Sequence, residues 1–335
     1  MRTATDSPTA SGTSTPPAPA PPRRLQHPGW RARFGALALI WGFSFLLISV
    51  GNEAFAPLYV ALGRMVSGTA VLLAALAVRR ERLPRGARAW GHLAVAAFFL
   101  NALPFSLFAY AEVTISSTLA GICNATAPLW SMVLAVVTVS DDRPTRRRVA
   151  GLGLGFAGVL VVLGAWQGFA GQDPLGTVLA LVASLSYAVG WAYVRRTLSG
   201  PGGSALAMSG AQLLLGTAQL AVVAPLAAAP PDSLAPRPLL AVLALGALGT
   251  GVAYLMQYRL VSEVGPTRAM AVTYVIPVVS TAAGVAVLGE HLSWNTPVGA
   301  LIVLAGAALT QSGPRRPAAP EPPRSGRRRR AARQS

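Results

Sequence analysis

The sequence predicts an all-α polytopic membrane protein with ten transmembrane helices arranged as two inverted five-helix repeats. Three observations carry this. Only 12% of the 335 residues are charged and 53% are hydrophobic, whereas a soluble domain carries about 25% charged residues. The charges crowd into the tails and short breaks, leaving apolar runs of about 20 residues, enough to cross a hydrocarbon core of roughly 30 Å. The arginines gather on alternate breaks. Finally, one pattern is written twice, 149 residues apart: PLWSMVLAVVTVSD from Pro128 to Asp141, and PVVSTAAGVAVLGE from Pro277 to Glu290. Each copy begins with proline, carries serine three residues later and closes on a carboxylate.

The ten expected helices cover about 34–51, 57–78, 89–110, 115–138, 148–166, 175–194, 204–227, 238–257, 267–288 and 295–312. With the N-terminus in the cytoplasm, the cytoplasmic segments are the N-tail, 79–88, 141–148, 194–203, 259–268 and the C-tail. They hold 26 of the 28 basic residues, all of them arginines. Arg237 alone falls outside and Arg64 alone lies well inside a helix. This asymmetry orients both termini to the cytoplasm, because basic residues flanking spans stay on that side.

The two copies of the pattern fall in the fourth and ninth helices. A unit of five helices duplicated in tandem inserts its second copy upside down, a common way to build transporters. Other echoes keep nearly the same offset. NALPFSLFAY (101–110) aligns with GTGVAYLMQY (249–258), WGFSF (41–45) with YAVGW (187–191), and GLGLGFAGVLVVLG (151–164) with VGALIVLAGAAL (298–309).

On these residues the resemblance becomes specific. WGFSFLLISVGNEAFAPLYVALGRMVSGTAVLL, the APLW turn of the fourth helix, the acid-ended helix and the glycine-rich fifth helix resemble an EamA-type unit. The second half is the closer match, most of it carried by Pro277–Glu290 and the helix that follows. The chain is thus similar to the drug/metabolite transporter superfamily over about 34–312. The resemblance implies ten helices, two inverted repeats and small-molecule transport, commonly export of amino acids, related metabolites or drugs. The expected units are a disordered cytoplasmic N-tail (1–32), two EamA-like repeats (33–168 and 174–312) and a basic cytoplasmic C-tail (313–335). The expected setting is the inner membrane of a bacterium. The first copy departs from the pattern: Asp141 and Asp142 stand where a glutamate is usual, and arginines follow at once.

The net charge of +17 points to membrane anchoring rather than to nucleic acid, because of where the arginines sit. The N-tail has no apolar core of a signal peptide. The single cysteine, Cys123, excludes an intrachain disulfide and reads as a small buried hydrophobe. His27, His92 and His291 have no partners at metal-ligand spacing, so no metal or cofactor is implied. The expected partners are a small-molecule substrate and the lipid bilayer, and the sequence leaves a homodimer open.

Arg64 is the most informative single residue. A charge at the bilayer centre costs about 2.5–3.5 kcal/mol on insertion scales, so Arg64 should face the bundle interior, either as a fixed cation for a substrate carboxylate or as a structural pairing group. Glu53 and Glu112 lie towards the external side and could pair with it. No carboxylate lies deep in a span, so proton antiport finds no direct support. Glu112, Asp141 and Glu290 are candidate gate contacts, with solvated helix ends as the simpler reading. Paired helix breaks mark transporter sites, and here they are Asn101 and Pro104 with Gly249 and Gly251, and Pro128 with Pro277. Beside them Trp41, Ser44, Asn124, Tyr187, Trp191, Tyr254, Gln257, Thr273 and Tyr274 are expected to line a central cavity together with Arg64 and Asn101. Gly151, Gly155 and Gly246 read as helix-packing sites.

The alternatives are a polytopic membrane enzyme and a non-transporting receptor or scaffold. The chain lacks paired intramembrane aspartates, HExxH and GxxxxGK[ST], and the duplication favours a carrier.

Overall fold

The computed structural model describes residues 29–138, 145–164, 173–198, 203–231, 234–265, 269 and 271–311. Every regular element among them is helical. In order these are α1 (Trp30–Asn52), α2 (Pro57–Arg79), α3 (Ala87–Ala97), a π-helical turn (Phe98–Ala102), α4 (Leu103–Ala111), α5 (Ser117–Asn124), α6 (Ala127–Thr138), α7 (Arg146–Val162), α8 (Pro174–Thr197), α9 (Ala205–Ala227), α10 (Pro236–Gly246), a second π-helical turn (Ala247–Val252) and α11 (Ala253–Val264). A 3₁₀ turn (Ala271–Tyr274), α12 (Ile276–Leu288) and α13 (Asn295–Gln311) follow.

Among the described residues, seven helical stretches are long and apolar enough to cross a membrane: Trp30–Asn52, Pro57–Arg79, Ala87–Ala111, Pro174–Thr197, Ala205–Ala227, Pro236–Val264 and Ala271–Leu288. Their outer faces carry exposed apolar side chains such as Leu39, Val66, Leu175, Leu226 and Val287, a surface suited to hydrocarbon rather than water. The remaining apolar helices are shorter. α7 and α13 have 17 residues each, about 25 Å at 1.5 Å per residue.

The expected single helix over 115–138 is instead two, with a turn at Ala125–Thr126. Pro128 is the second residue of α6 and Pro277 the second of α12. Both therefore occupy the first turn of a new helix, where the missing N–H costs nothing, rather than kinking a helix interior. Asp141 lies outside the described residues.

Packing joins the first half of the chain to the second. α1 packs on α10 and α12, α2 on α9 and α10, α4 on α8, and α7 on α13. The α7–α13 contact runs backbone to backbone. A Cβ on Gly158 would sit 2.6 Å from the Val303 nitrogen, and one on Gly306 2.4 Å from the Gly155 nitrogen and 2.7 Å from the Gly151 carbonyl. Only glycine permits that approach, as in small-residue interfaces between membrane helices. The α5–α6 break is stitched to α8, since the Cys123 carbonyl accepts from Ser184 Oγ at 2.8 Å and Thr126 Oγ1 at 2.6 Å. Cys123 is itself buried.

Candidate functional site

Arg64 is seated by glycines of the other half. α2 presses on α10 and the second π-turn so closely that a Cβ on Gly246 would lie 1.8 Å from Ser67 Oγ and 2.3 Å from the Arg64 carbonyl. A Cβ on Gly251 would meet Val71 Cβ at 2.5 Å. That docking brings the Arg64 side chain, 9% exposed, to Thr250 of the π-turn, whose Oγ1 accepts from Arg64 Nε at 3.0 Å. The guanidinium carbon lies 3.7 Å from the centre of the Phe105 ring on α4, a cation–π contact worth about 2 kcal/mol or more when desolvated. Arg64 thus touches the third helical stretch of each half.

Neither expected carboxylate pairs with it. Glu53 bridges to Arg237 at 3.4 Å, and Glu112 accepts from Ser49 Oγ at 2.7 Å. Among the described residues no carboxylate reaches ion-pair distance of Arg64. The polar groups close enough to feel its charge are Tyr187, Tyr254 and Glu112.

The π-turns coincide with the break positions expected from Asn101/Pro104 and from Gly251. In each, the ladder slips to a bond five residues back: Leu103 N–H to the Phe98 carbonyl, and Ala253 N–H to the Leu248 carbonyl. Such a slip frees carbonyls that lipid cannot satisfy. Each turn draws a donor from the first helix of the other half. Ser186 Oγ on α8 donates to the Phe99 carbonyl at 2.7 Å, and Trp41 Nε1 on α1 donates to the Gly249 carbonyl at 3.2 Å.

Asn101, fully buried, organises the side facing α9 and α11. Its Nδ2 donates to Tyr254 OH at 2.9 Å, and its Oδ1 accepts from Gln212 Nε2 at 2.5 Å. Tyr254 meets Tyr258 edge to face, and Tyr187 stacks on Phe108. Arg64, Asn101, Tyr187 and Tyr254 are therefore gathered, with Trp41 and Ser44 beside the second π-turn. Ser44 Oγ is turned back to the Ile40 carbonyl at 2.9 Å. Tyr274 points elsewhere, donating to the Ala307 carbonyl of α13 at 3.2 Å, and Trp191 is exposed on α8. Asn124 lies half-buried at the α5–α6 break. Gln257 and Thr273, half-buried, each have an interaction partner. Thr250, Phe105 and Gln212 escaped the sequence reading, since threonine, phenylalanine and glutamine in apolar helices carry no local signal of a contact made across the bundle.

Glu290 is not a loosely solvated end. α12 stops at Gly289, whose φ of +67° is left-handed and so suits glycine. The chain then folds back, with Glu290 N–H bonded to the Gly284 carbonyl at 3.1 Å. The carboxylate lands on the start of α5, accepting from Ser117 N–H at 2.8 Å, Ser117 Oγ at 2.7 Å and Thr118 N–H at 3.2 Å. An acid over free N–H groups at a helix N-terminus is electrostatically favoured. Gly284 leaves the necessary room, since a Cβ there would lie 2.3 Å from Glu290 Oε2.

Glu112, one residue past the span Ala87–Ala111, is 7% exposed. Burial holds its carboxyl well above the usual range; the Glu290 charge adds to this, while the Ser49 hydrogen bond and Arg64 oppose it.

Comparison with known proteins agrees with this architecture. The EamA-like transporter family matches residues 34–164 and again 174–311. An uncharacterized inner membrane transporter, YedA, of Escherichia coli K12 is 30% identical over 261 residues, 77% of this chain and 82% of its own. An uncharacterized transporter of Archaeoglobus fulgidus is 26% identical over 279 residues, covering 81% and 93%. A solved crystal structure shares the fold with a TM-score of 0.59 over 84% of this chain and 96% of its own, at 22% identity. With two consecutive matches covering nearly all the described helices, the chain is a member of the EamA-like transporter family.

Proposed function

We propose that this membrane transporter is a secondary carrier that exports a small carboxylate-bearing metabolite, amino-acid-like in kind, or a drug of similar charge, across the inner membrane of a bacterium. It works by alternating access around Arg64, in a bundle of ten spans built as two inverted five-helix repeats with both termini cytoplasmic. The double family match, the paired π-turns and the exchange of donors between halves all support the inverted arrangement. The short helices α7 and α13 and the broken α5–α6 stretch complete the ten. Arginine asymmetry supports the orientation, and the name of the E. coli relative supports the inner membrane.

The observation that carries the substrate class is Arg64. Its guanidinium is buried, is held at Nε by Thr250 and rests on an aromatic face, yet it has no carboxylate partner among the described residues. A buried cation without a counter-charge is costly, and a substrate carboxylate can supply that charge through the planar donor fork. Its contacts with both halves let substrate binding favour one packing of the repeats over the other. The test compares small molecules in the medium of cells making the wild type, Arg64→Ala or Arg64→Lys at matched membrane levels. A metabolite should accumulate outside only with the wild type and fall at least about tenfold with Arg64→Ala, the loss expected from about 1.4 kcal/mol or more of binding. Undiminished export by Arg64→Ala removes the substrate role.

A further inference from the structure

The Glu112 carboxylate has one oxygen bound and one unsatisfied. Oε2 accepts from Ser49, whereas Oε1 is buried and has no hydrogen bond among the described residues. An ionised carboxylate offers about four acceptor sites, and leaving them unfilled away from water is costly. Protonation removes the charge and converts one oxygen into a donor.

The surroundings are polar and incomplete in the same way. On α1, Asn52 lies one turn beyond Ser49; its Nδ2 donates to the Ala109 carbonyl at 2.8 Å, while its Oδ1 is buried without a partner. On α5, Thr118 is 2% exposed, and its hydroxyl has no partner although its N–H serves Glu290. Two charges act on Glu112: Arg64 from α2 and Glu290 from beyond α12. At the start of α8, Asp173 is held by Thr114, two residues past Glu112, at 2.7 Å. Arg64 favours the carboxylate, and Glu290 favours the acid.

We propose that Glu112 is a proton-binding site, occupied while Glu290 sits on the N-terminus of α5. Loading is a simple equilibrium: the carboxylate gains a proton from water on one side and returns it to water when its surroundings change. Withdrawal of Glu290 from α5 removes the like charge and leaves Arg64 to draw the site towards its ionised form, so movement of the Glu290 contact releases the proton. A corollary rests on the anion-site reading above: an anion on Arg64 cancels the charge that opposes protonation, so anion and proton bind together, and each raises the affinity of the other by the same factor.

The test is infrared spectroscopy of the full chain in phosphatidylethanolamine–phosphatidylglycerol vesicles, following the carbonyl stretch of protonated carboxylic acids through a pH titration. A band is expected whose midpoint lies well above the ordinary glutamate value of about 4.3. It should vanish in Glu112→Gln. The midpoint should fall in Glu290→Gln, and rise in Arg64→Gln and Ser49→Ala, each of which removes a group that favours the ion. If Glu112→Gln does not fold, the wild-type band and the three other variants still decide the matter. A wild type without the band, a band surviving in Glu112→Gln, or a midpoint unmoved by Glu290→Gln and Arg64→Gln overturns the proton site. The titration needs no substrate. Loss of the band with export still dependent on Arg64 defeats the proton site alone, and a normal band with export indifferent to Arg64 defeats the anion reading alone.

Discussion

In the first half of the chain the helical ladder slips at Phe98–Ala102, just before Pro104; in the second it slips at Ala247–Val252, where no proline stands. Pro104 has no N–H for the carbonyl four residues back, and its ring crowds that carbonyl, so the first slip has a covalent cause. The second has a tertiary one. Gly246, Gly249 and Gly251 remove side chains where α2 and Ser44 press in, with Thr250 Cβ 3.0 Å from the place a Cβ on Gly68 would take. Matching backbone geometry therefore arises from local stereochemistry in one half and from packing in the other. The two should respond differently to mutation.

Gly246→Leu should have the largest effect. It inserts a side chain where Ser67 and the Arg64 carbonyl already lie, and overpacking of this kind costs about 3 kcal/mol or more. Thermal unfolding in detergent should show a marked fall in midpoint and transport should be lost. Pro104→Ala comes next and divides the halves: it removes the local cause of the first π-turn and leaves the second intact. Stability should hold or rise slightly, while rotation of Asn101 away from Tyr254 and Gln212 should reduce transport severalfold. Wild-type transport by Pro104→Ala would mean that the first turn is held by packing as well. Ser186→Ala and Trp41→Phe each strip one donor from a π-turn carbonyl and should cost about 0.6–2 kcal/mol apiece. Similar losses would mark the two contacts as equivalents despite their different chemistry. The smallest lever lies at the start of α8, which carries Ser186. Asp173 caps that helix, and hydrogen bonds from Thr114 and then from Gly176 N–H hold its carboxyl below the usual range. Its contribution is full above the ordinary aspartate value of about 3.9 and fades as pH falls through the lowered one. Asp173→Asn should flatten that part of a stability–pH curve and change little at neutral pH.

Proline and glycine made the breaks at Asn101/Pro104 and Gly251 legible, because these residues act on the backbone beside them. Arg64 was legible because a charge in an apolar run must be accommodated somewhere. The α5–α6 discontinuity was legible only in part: Pro128 marked a break, but a proline suits a helix start as well as a kink, so the sequence did not show two helices meeting at Ala125–Thr126. The partners of the breaks were also hidden. Ser186, Gln212 and Thr250 lie 87, 111 and 186 residues from the groups they bond, and periodicity along one helix says nothing about which distant helix it meets. Glu290 shows the same limit: a helix-end acid looks solvated until the turn at Gly289 carries it onto α5.

The α5–α6 break also equips this chain with a reporter. Its one thiol, Cys123, sits at that break, shut in by α8 and anchored through its own carbonyl. Any working stroke that separates α5 from α8 must uncover it. A membrane-permeant maleimide would then count openings of the bundle in the unaltered protein, and its labelling rate with and without substrate would measure how often the pathway is exposed.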